Sequence, residues 1–433
     1  MREIRVGLIG AGTVGGGVIK ILHSRKAAFA AMGLPIRLAR VADKVTDRFA
    51  KLPVGDAICT ADAADILNDP SIDIVVELVG GTTFARTVTL EALSKGKHVI
   101  SANKALIAEH GPELFECASK NGVSLYFEAS VGGGMPVIKT IREALAGNEV
   151  LSVKTIINGT CNYILTKMTA EGLPFAQVLA QAQKNGYAEA DPTLDVGGGD
   201  SGHKVAILAS LISGGYVPFD KIYIEGITSI GEEDIAFARE LGYVIKLLGV
   251  INRSASSGAI DVRVHPAMLP AHHILASVSD VFNAVLLEGD AVGRILLYGK
   301  GAGEMPTGSA VAGDIADVAR NIIADAPVRI PMDYYSRGRV TATLPVEEIS
   351  SRYYLRFTVT DKPGVLASIA SLLGEQGISI ASVIQKEGQS DDDAVPVIIL
   401  THRAKELGMR QALFRIEKLE QIRQGTRLIR IEE

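Results

Sequence analysis

Over about the first 130 residues, short β-branched runs alternate with stretches of helical periodicity. Ile4 to Ile9 predicts a strand, Gly15 to Met32 a helix, and Ile36 to Val41 a second strand. Ile72 to Val79 and His98 to Ser101 predict two more buried strands, each followed by helical sequence. That alternation implies βαβ units and a mostly parallel sheet. After Pro136 the pattern changes. Apolar helices (Val137 to Leu145, Ala176 to Asn185, Gly202 to Ile212) interleave with strand-like runs at Val150 to Ile157 and Ala284 to Leu297. A glycine-rich loop, Gly299 to Gly308, precedes a helix over Ser309 to Asp325 that is expected to return to the first domain.

From Tyr353 onward, four strands (Tyr353 to Val359, Ile378 to Gln385, Val395 to Thr401, Thr426 to Ile431) and two helices (Val365 to Gln376, Lys405 to Lys418) are predicted. Their order, strand, helix, strand, strand, helix, strand, is the ferredoxin-like pattern. The chain therefore reads as α/β, with an N-terminal Rossmann domain at 1–135 completed by about 305–326. An α+β domain at 136–304, a linker at 327–349 and a ferredoxin-like domain at 350–433 follow.

Composition narrows the class. At 433 residues, 47% hydrophobic and 21% charged, the chain can bury several cores. A net charge of -5, with no basic tract, argues against a nucleic-acid partner. The three cysteines, Cys59, Cys117 and Cys161, form no C-x-x-C pair, which fits a reducing cytoplasm. Met1 to Ile9 runs straight into a strand, leaving no room for a signal peptide, and no apolar run is long enough to span a bilayer.

Gly10-Ala-Gly12-Thr13-Val14-Gly15 sits between the first strand and the first helix. There Gly10 makes the tight turn, Gly12 admits a pyrophosphate, and Gly15 allows close helix packing. Amides of Thr13 and Val14, at the positive end of the helix, face the phosphates. This context predicts NAD or NADP binding. The second strand ends Arg40-Val-Ala-Asp43-Lys44, which supplies both a carboxylate for ribose hydroxyls and cations for a 2′-phosphate, so the choice stays open.

Two further segments carry chemistry. Lys104 ends Ser101-Ala-Asn-Lys104, directly after a buried strand and hence at the carboxyl edge of the sheet. Tyr187 to Lys204 holds Glu189, Asp191, Asp195 and Asp200 in glycine-rich sequence. Asp200 and Lys204 share a helix face at i,i+4, an arrangement equally suited to an ordinary ion pair. His203 reads as a packing or surface residue and Cys161 as a structural one.

These motifs occur in order with Glu77-Leu-Val-Gly-Gly81, Asn158-Gly-Thr160-x-Asn162-Tyr163 and Gly301-Ala-Gly303-x-x-Pro-Thr307. Together they closely resemble the bacterial homoserine dehydrogenases along the whole chain, the Asp195 to Lys204 element being the most specific. The resemblance implies an NAD(P)-dependent oxidoreductase interconverting L-aspartate 4-semialdehyde and L-homoserine, with 136–304 as catalytic and dimerisation domain. Carried over, Lys204 is the proton donor and Lys104 its partner beside the cofactor. Glu189, Asp200, Asp195, Tyr187 and Thr160 bind substrate, and Gly303 approaches the cofactor. The family also implies a Na+ or K+ held by Glu128 and the carbonyls of Val131, Gly133 and Met135. A homodimer or homotetramer is expected.

The Asp361-Lys-Pro-Gly364-Val365-Leu366 turn opens an amphipathic helix whose free amides suit a carboxylate. This unit resembles ACT domains, which bind amino acids. That implies feedback control by threonine and a module whose removal leaves activity intact. Two alternatives remain in view: a related semialdehyde or amino-acid dehydrogenase, and a non-catalytic regulatory protein binding dinucleotide and amino acid.

Overall fold

The computed structural model describes residues 2–254, 258–326, 328–329, 340–385 and 394–433. The first sheet is parallel, with strands β1 (Ile4–Ile9), β2 (Ile36–Ala42), β3 (Ile58–Thr60), β4 (Ile74–Glu77), β5 (His98–Ser101) and β6 (Leu125–Tyr126). Its order, β3-β2-β1-β4-β5-β6, places the switch point beside β1, where a doubly wound sheet binds nucleotides. The helix Glu304–Ile323 returns to this domain and packs on the helix Thr13–Ser24. Glycines make that approach possible. A Cβ on Gly17 would lie 2.2 Å from the Glu304 carbonyl oxygen, and one on Gly308 2.8 Å from the Gly17 carbonyl carbon.

The second sheet contains β7 (Val150–Ile156), β8 (Tyr223–Ile224), β9 (Tyr243–Arg253), β10 (Ile260–Pro270), β11 (Phe282–Gly289) and β12 (Gly293–Lys300). It continues into β13 (Ser350–Thr360), β14 (Ile380–Gln385), β15 (Ala394–Thr401) and β17 (Arg427–Ile431), with β16 (Ala404–Lys405) paired to β13. The path runs β12-β11-β7-β9-β10-β17-β13-β15-β14.

Several sequence expectations change. The run Ala284 to Leu297 is a hairpin, β11 and β12 pairing antiparallel, because Asp290 to Val292 turn the chain inside it. The helix expected from Ser309 begins at Glu304, capped by Gly303 at φ +122°. The long strands β9 and β10 were not signalled by alternation. Both faces of β9 are buried in apolar clusters, so it reads as a continuous apolar run. The predicted linker 327–349 lies partly outside the described residues. Its described part lies against the second domain, where Thr341 N–H donates to the Tyr216 carbonyl at 2.8 Å.

The largest difference concerns the C-terminal unit. Its strand order, β17-β13-β15-β14, is that of a ferredoxin-like sheet, yet the unit is no tethered attachment. β17 pairs in parallel with β10, so both units share one sheet. Charged side chains seal the seam. Arg356 on β13 binds the fully buried Asp234 at 2.7 Å, Arg263 on β10 binds Glu432 at 2.6 Å, and Arg430 on β17 joins Glu406 to Glu225. Among the described residues, no helix is long and apolar enough to cross a membrane.

Candidate active site

The glycine turn after β1 forms one wall of a cavity of about 440 Å³, lined by Gly10, Gly12, Asp43, Lys44, Arg48 and Phe84 among others. Gly10 has φ +101°, and a Cβ there would lie 2.7 Å from the Leu78 carbonyl oxygen. A Cβ on Gly15 would lie 2.0 Å from the Gly10 carbonyl oxygen, so the helix can press on the turn only without one. A Cβ on Gly12 would meet only the Arg48 guanidinium, at 3.9 Å, and Gly12 caps the helix that begins at Thr13 and Val14.

Asp43, at the end of β2, accepts from the Ala11 and Val45 amides at 2.7 Å each and pairs with Arg48 at 2.9 Å. Those bonds and the Arg48 charge outweigh burial and hold its carboxyl below the ordinary range. Arg40 is not brought to the cavity. Its guanidinium donates to Asp69 at 2.7 Å. The cations that line the cavity are Lys44 and Arg48, and Arg48 carried no signal in the sequence motif.

Lys104 is placed by a stitch between the carboxyl ends of β4 and β5. Ser101 Oγ donates to Glu77 at 2.5 Å and accepts from the Asn103 amide at 3.0 Å. Asn103 then caps the helix Lys104–Lys120 and donates to the Gly81 carbonyl at 2.7 Å. Burial raises the Glu77 pKa to about 7 against the Ser101 bond.

The second domain brings its chemistry to the same edge on the helix Gly199–Ser213. Lys204 Nζ donates to Asp200 at 2.7 Å and to the Ile157 carbonyl at 2.8 Å. Lys104 reaches the other Asp200 oxygen at 3.2 Å, so the two domains meet on one carboxylate. Asn158 caps the helix Gly159–Glu171 and donates to both Asp195, at 2.7 Å, and Asp200, at 2.8 Å. Burial alone would raise the Asp200 pKa. The charges of Lys204 and Lys104 outweigh it and hold the value at about 2. Burial raises Asp195 against its Asn158 bond. An ammonium has three donors; among the described residues Lys204 spends two, which leaves one direction for a ligand oxygen.

Thr160 Oγ donates to the Tyr187 carbonyl at 2.6 Å and lies 3.5 Å from Asp195. Tyr187 is exposed, its ring 5.0 Å from that of Tyr163. Glu189 is exposed too, and its side chain enters no ion pair among the described residues. The bridging role of Asn158 was not foreseen, although its place ahead of a helix marks it as a cap. Cys161 is buried, which pushes its thiol well up, and His203 stacks on Phe219 at 4.2 Å between centroids.

Gly303 sits where the helix Glu304–Ile323 meets the dinucleotide helix, with Glu304 paired to Lys20 at 2.6 Å. Behind it, a Cβ on Gly133 would lie 2.4 Å from the Gly301 carbonyl, so the Glu128 to Pro136 turn packs on the same loop. Glu128 accepts from the Ile138 and Lys139 amides at 2.8 Å each. Burial raises its pKa to about 6, and burial together with the Glu128 charge raises that of Asp314 well above the usual range. The Met135 carbonyl accepts from the Val137 amide, while those of Val131 and Gly133 accept no backbone amide among the described residues.

Comparison with known proteins identifies the family. Residues 10–128 match the family model described as "Homoserine dehydrogenase, NAD binding domain", 136–316 that described as "Homoserine dehydrogenase", and 353–421 that of the ACT domain. Homoserine dehydrogenase of Pseudomonas aeruginosa is 44% identical, with 100% of each chain covered. The chain belongs to the homoserine dehydrogenases. The family member of Neisseria gonorrhoeae is 42% identical over 100% of this chain and 99% of its own. The crystal structure of a homoserine dehydrogenase from Thiobacillus denitrificans superposes with a TM-score of 0.94 at 42% identity, covering 100% and 99% of the two chains. As a homoserine dehydrogenase, the protein is an oxidoreductase with a nicotinamide-dinucleotide domain.

Proposed function

We propose that the enzyme reduces L-aspartate 4-semialdehyde to L-homoserine, and runs the reverse reaction, with Lys204 as proton carrier. The observation that carries this reading is the Lys204 ammonium, fixed by Asp200 and the Ile157 carbonyl with one donor left over. When bound, NADPH or NADH supplies the hydride to the aldehyde carbon. Lys204 stabilises the charge developing on the aldehyde oxygen and then gives it a proton. Lys104, on the other oxygen of Asp200, orients the same region. Asp200 and Asn158 fix the lysines, while Asp195, Thr160, Tyr187 and Glu189 form the substrate rim, with Glu189 as ligand for the α-ammonium.

On the cofactor side, Gly10 to Gly15 face the pyrophosphate, Asp43 the adenosine ribose, and Lys44 and Arg48 a 2′-phosphate where one is present. A Na+ or K+ fits the Glu128 turn. Its donors are one carboxylate and the carbonyls of Val131, Gly133 and Met135, a hard-oxygen set. Burial of Glu128 and Asp314 side by side, which raises the pKa of both, supports a cation there. The cation's role is to fix the turn against Gly301.

The ACT domain is proposed to bind threonine at Asp361 and the Gly364–Leu366 amides, where Gly364 has φ +92° ahead of the helix Val365–Glu375. The enzyme then works as a cytoplasmic homodimer or homotetramer in threonine, methionine and isoleucine biosynthesis.

The test is oxidation of NADPH and NADH with aspartate semialdehyde, followed by nicotinamide absorbance with potassium present, with and without threonine. Turnover slowed by threonine is expected. Folded protein that turns over neither cofactor would refute the reading.

A further inference from the structure

Between the catalytic turn and the C-terminal domain runs a short segment, Tyr223 to Ile227, that touches both. β8, at its start, pairs with Arg263 and Val264 of β10, and the Glu225 amide donates to the Val264 carbonyl at 2.8 Å.

One side of the segment supports the turn that carries Asp195 and Asp200. The Ile227 amide donates to the Val196 carbonyl at 2.8 Å. A Cβ on Gly226 would lie 2.1 Å from that same oxygen, so the two backbones are in direct contact. Ile224 fills the space beside Gly198 and Gly202, where added Cβ atoms would lie 3.0 and 2.5 Å from its side chain.

The other side is held by the C-terminal domain. Glu225 accepts from Arg430 at 3.0 Å and from the Tyr223 hydroxyl at 2.9 Å. The Arg430 guanidinium lies 4.9 Å from the Tyr223 ring centroid. Its remaining nitrogens bind Glu406, the first residue of the helix Glu406–Ile416. The Arg430 side chain is 2% exposed and that of Glu225 30%.

We infer that Glu225 is a positioning residue through which the C-terminal domain sets the placement of the Asp195–Asp200 turn. The inference rests on the reading of Asp200 and Lys204 as the reaction centre. The planar guanidinium of Arg430 shares its fork between the two domains, and backbone contact at Gly226 leaves no flexible side chain to absorb a displacement. A shift of the helix Glu406–Ile416 therefore reaches Val196 through the ion pair and two peptide units.

The test uses the full-length enzyme with Glu225→Ala and Glu225→Gln. In Glu225→Ala, amide hydrogen exchange should quicken across the 193–204 segment while the first-domain strands keep wild-type protection. The same variant should raise KM for aspartate semialdehyde by about fivefold and leave KM for NADPH unchanged. Glu225→Gln, whose amide oxygen still accepts from Arg430 and Tyr223, should restore both. If Glu225→Ala fails to fold, Tyr223→Phe, which removes one of the two donors, should show the same pattern in smaller measure. Wild-type exchange over 193–204 in the folded variant overturns the inference, as does quickened exchange with unchanged KM. Absence of turnover in the wild-type enzyme would count against the proposed reaction instead, while the exchange comparison still decides the role of Glu225.

Discussion

Two of the buried ionic clusters among the described residues differ in the cations that dominate them. At the seam between the second domain and the ACT domain, the buried carboxylates are held mainly by arginines, Arg263, Arg356 and Arg430, with Arg410 also on Glu406 and Lys154 lying 3.4 Å from Glu432. At the proposed reaction centre both cations are lysines, Lys104 and Lys204, converging on Asp200. Arginine stays charged at any working pH and its planar fork locks several acceptors at once, which suits a permanent join. Lysine is a point charge that can release a proton and keeps a donor free for a newcomer. The seam is satisfied internally, whereas the centre is left unfinished, with Lys104 about one-third exposed at 34%.

The sharpest way to break this comparison is to exchange the two kinds of cation. Lys204→Ala should lower kcat on the order of 10²-fold or more while KM for the cofactor stays near wild type. Lys204→Arg should fail to rescue it, because a guanidinium does not give up its proton. Steady-state kinetics checks both. Wild-type kcat in Lys204→Arg would mean that charge alone suffices.

At the seam the effect should fall on stability. Asp234 is fully buried and is held by Arg356 and the Tyr354 hydroxyl. Arg356→Met strands that carboxylate and should cost about 3–5 kcal/mol, read from denaturant midpoints. By the same reasoning, a chain ending before Ser350 takes Arg356 and Tyr354 from Asp234, Glu432 from Arg263 and the strand beside β10. It should be unregulated, as the sequence suggests, and destabilised as well. Unchanged melting of that truncated chain would show the seam to be decorative.

A smaller effect concerns pH. Burial would raise the Glu432 carboxyl, but the Arg263 charge outweighs it and holds the pKa at about 2, below the ordinary 4.5. A depressed carboxylate contributes stability above its unfolded pKa and loses it as pH falls through the folded one. The seam should therefore weaken between about pH 4.5 and 2, and Glu432→Gln should flatten that part of the stability profile, a change visible in urea midpoints.

The smallest expected effect is at the cofactor cavity. Arg48→Ala should raise KM for NADPH by about threefold to tenfold and leave KM for NADH nearly unchanged, since only a 2′-phosphate needs the cation. Equal changes for both cofactors would assign Arg48 to holding Asp43 alone.

Much of this was legible in the sequence where the governing interaction is local. The glycine turn at Gly10 to Gly15, the helix-face pairing of Asp200 with Lys204, and the strand and helix order after Tyr353 all depend on residues a few positions apart. Periodicity, capping and turn chemistry report such features directly. β9 and the β11–β12 hairpin were poorly legible for the opposite reason. Burial on both faces erases alternation, and the Asp290 to Val292 turn carries only one glycine after it.

Local sequence already holds the chemical inventory: a dinucleotide turn, two lysines among carboxylates and a ferredoxin-like C-terminal unit. Folding chose the partners. It sent Arg40 to Asp69 and put Arg48 in its place, joined Lys104 to Asp200 across domains, and merged β17 with β10. The physical reason is range. An ion pair or a strand edge needs a partner within a few ångströms in space, and chain topology alone brings together residues as far apart as Glu225 and Arg430.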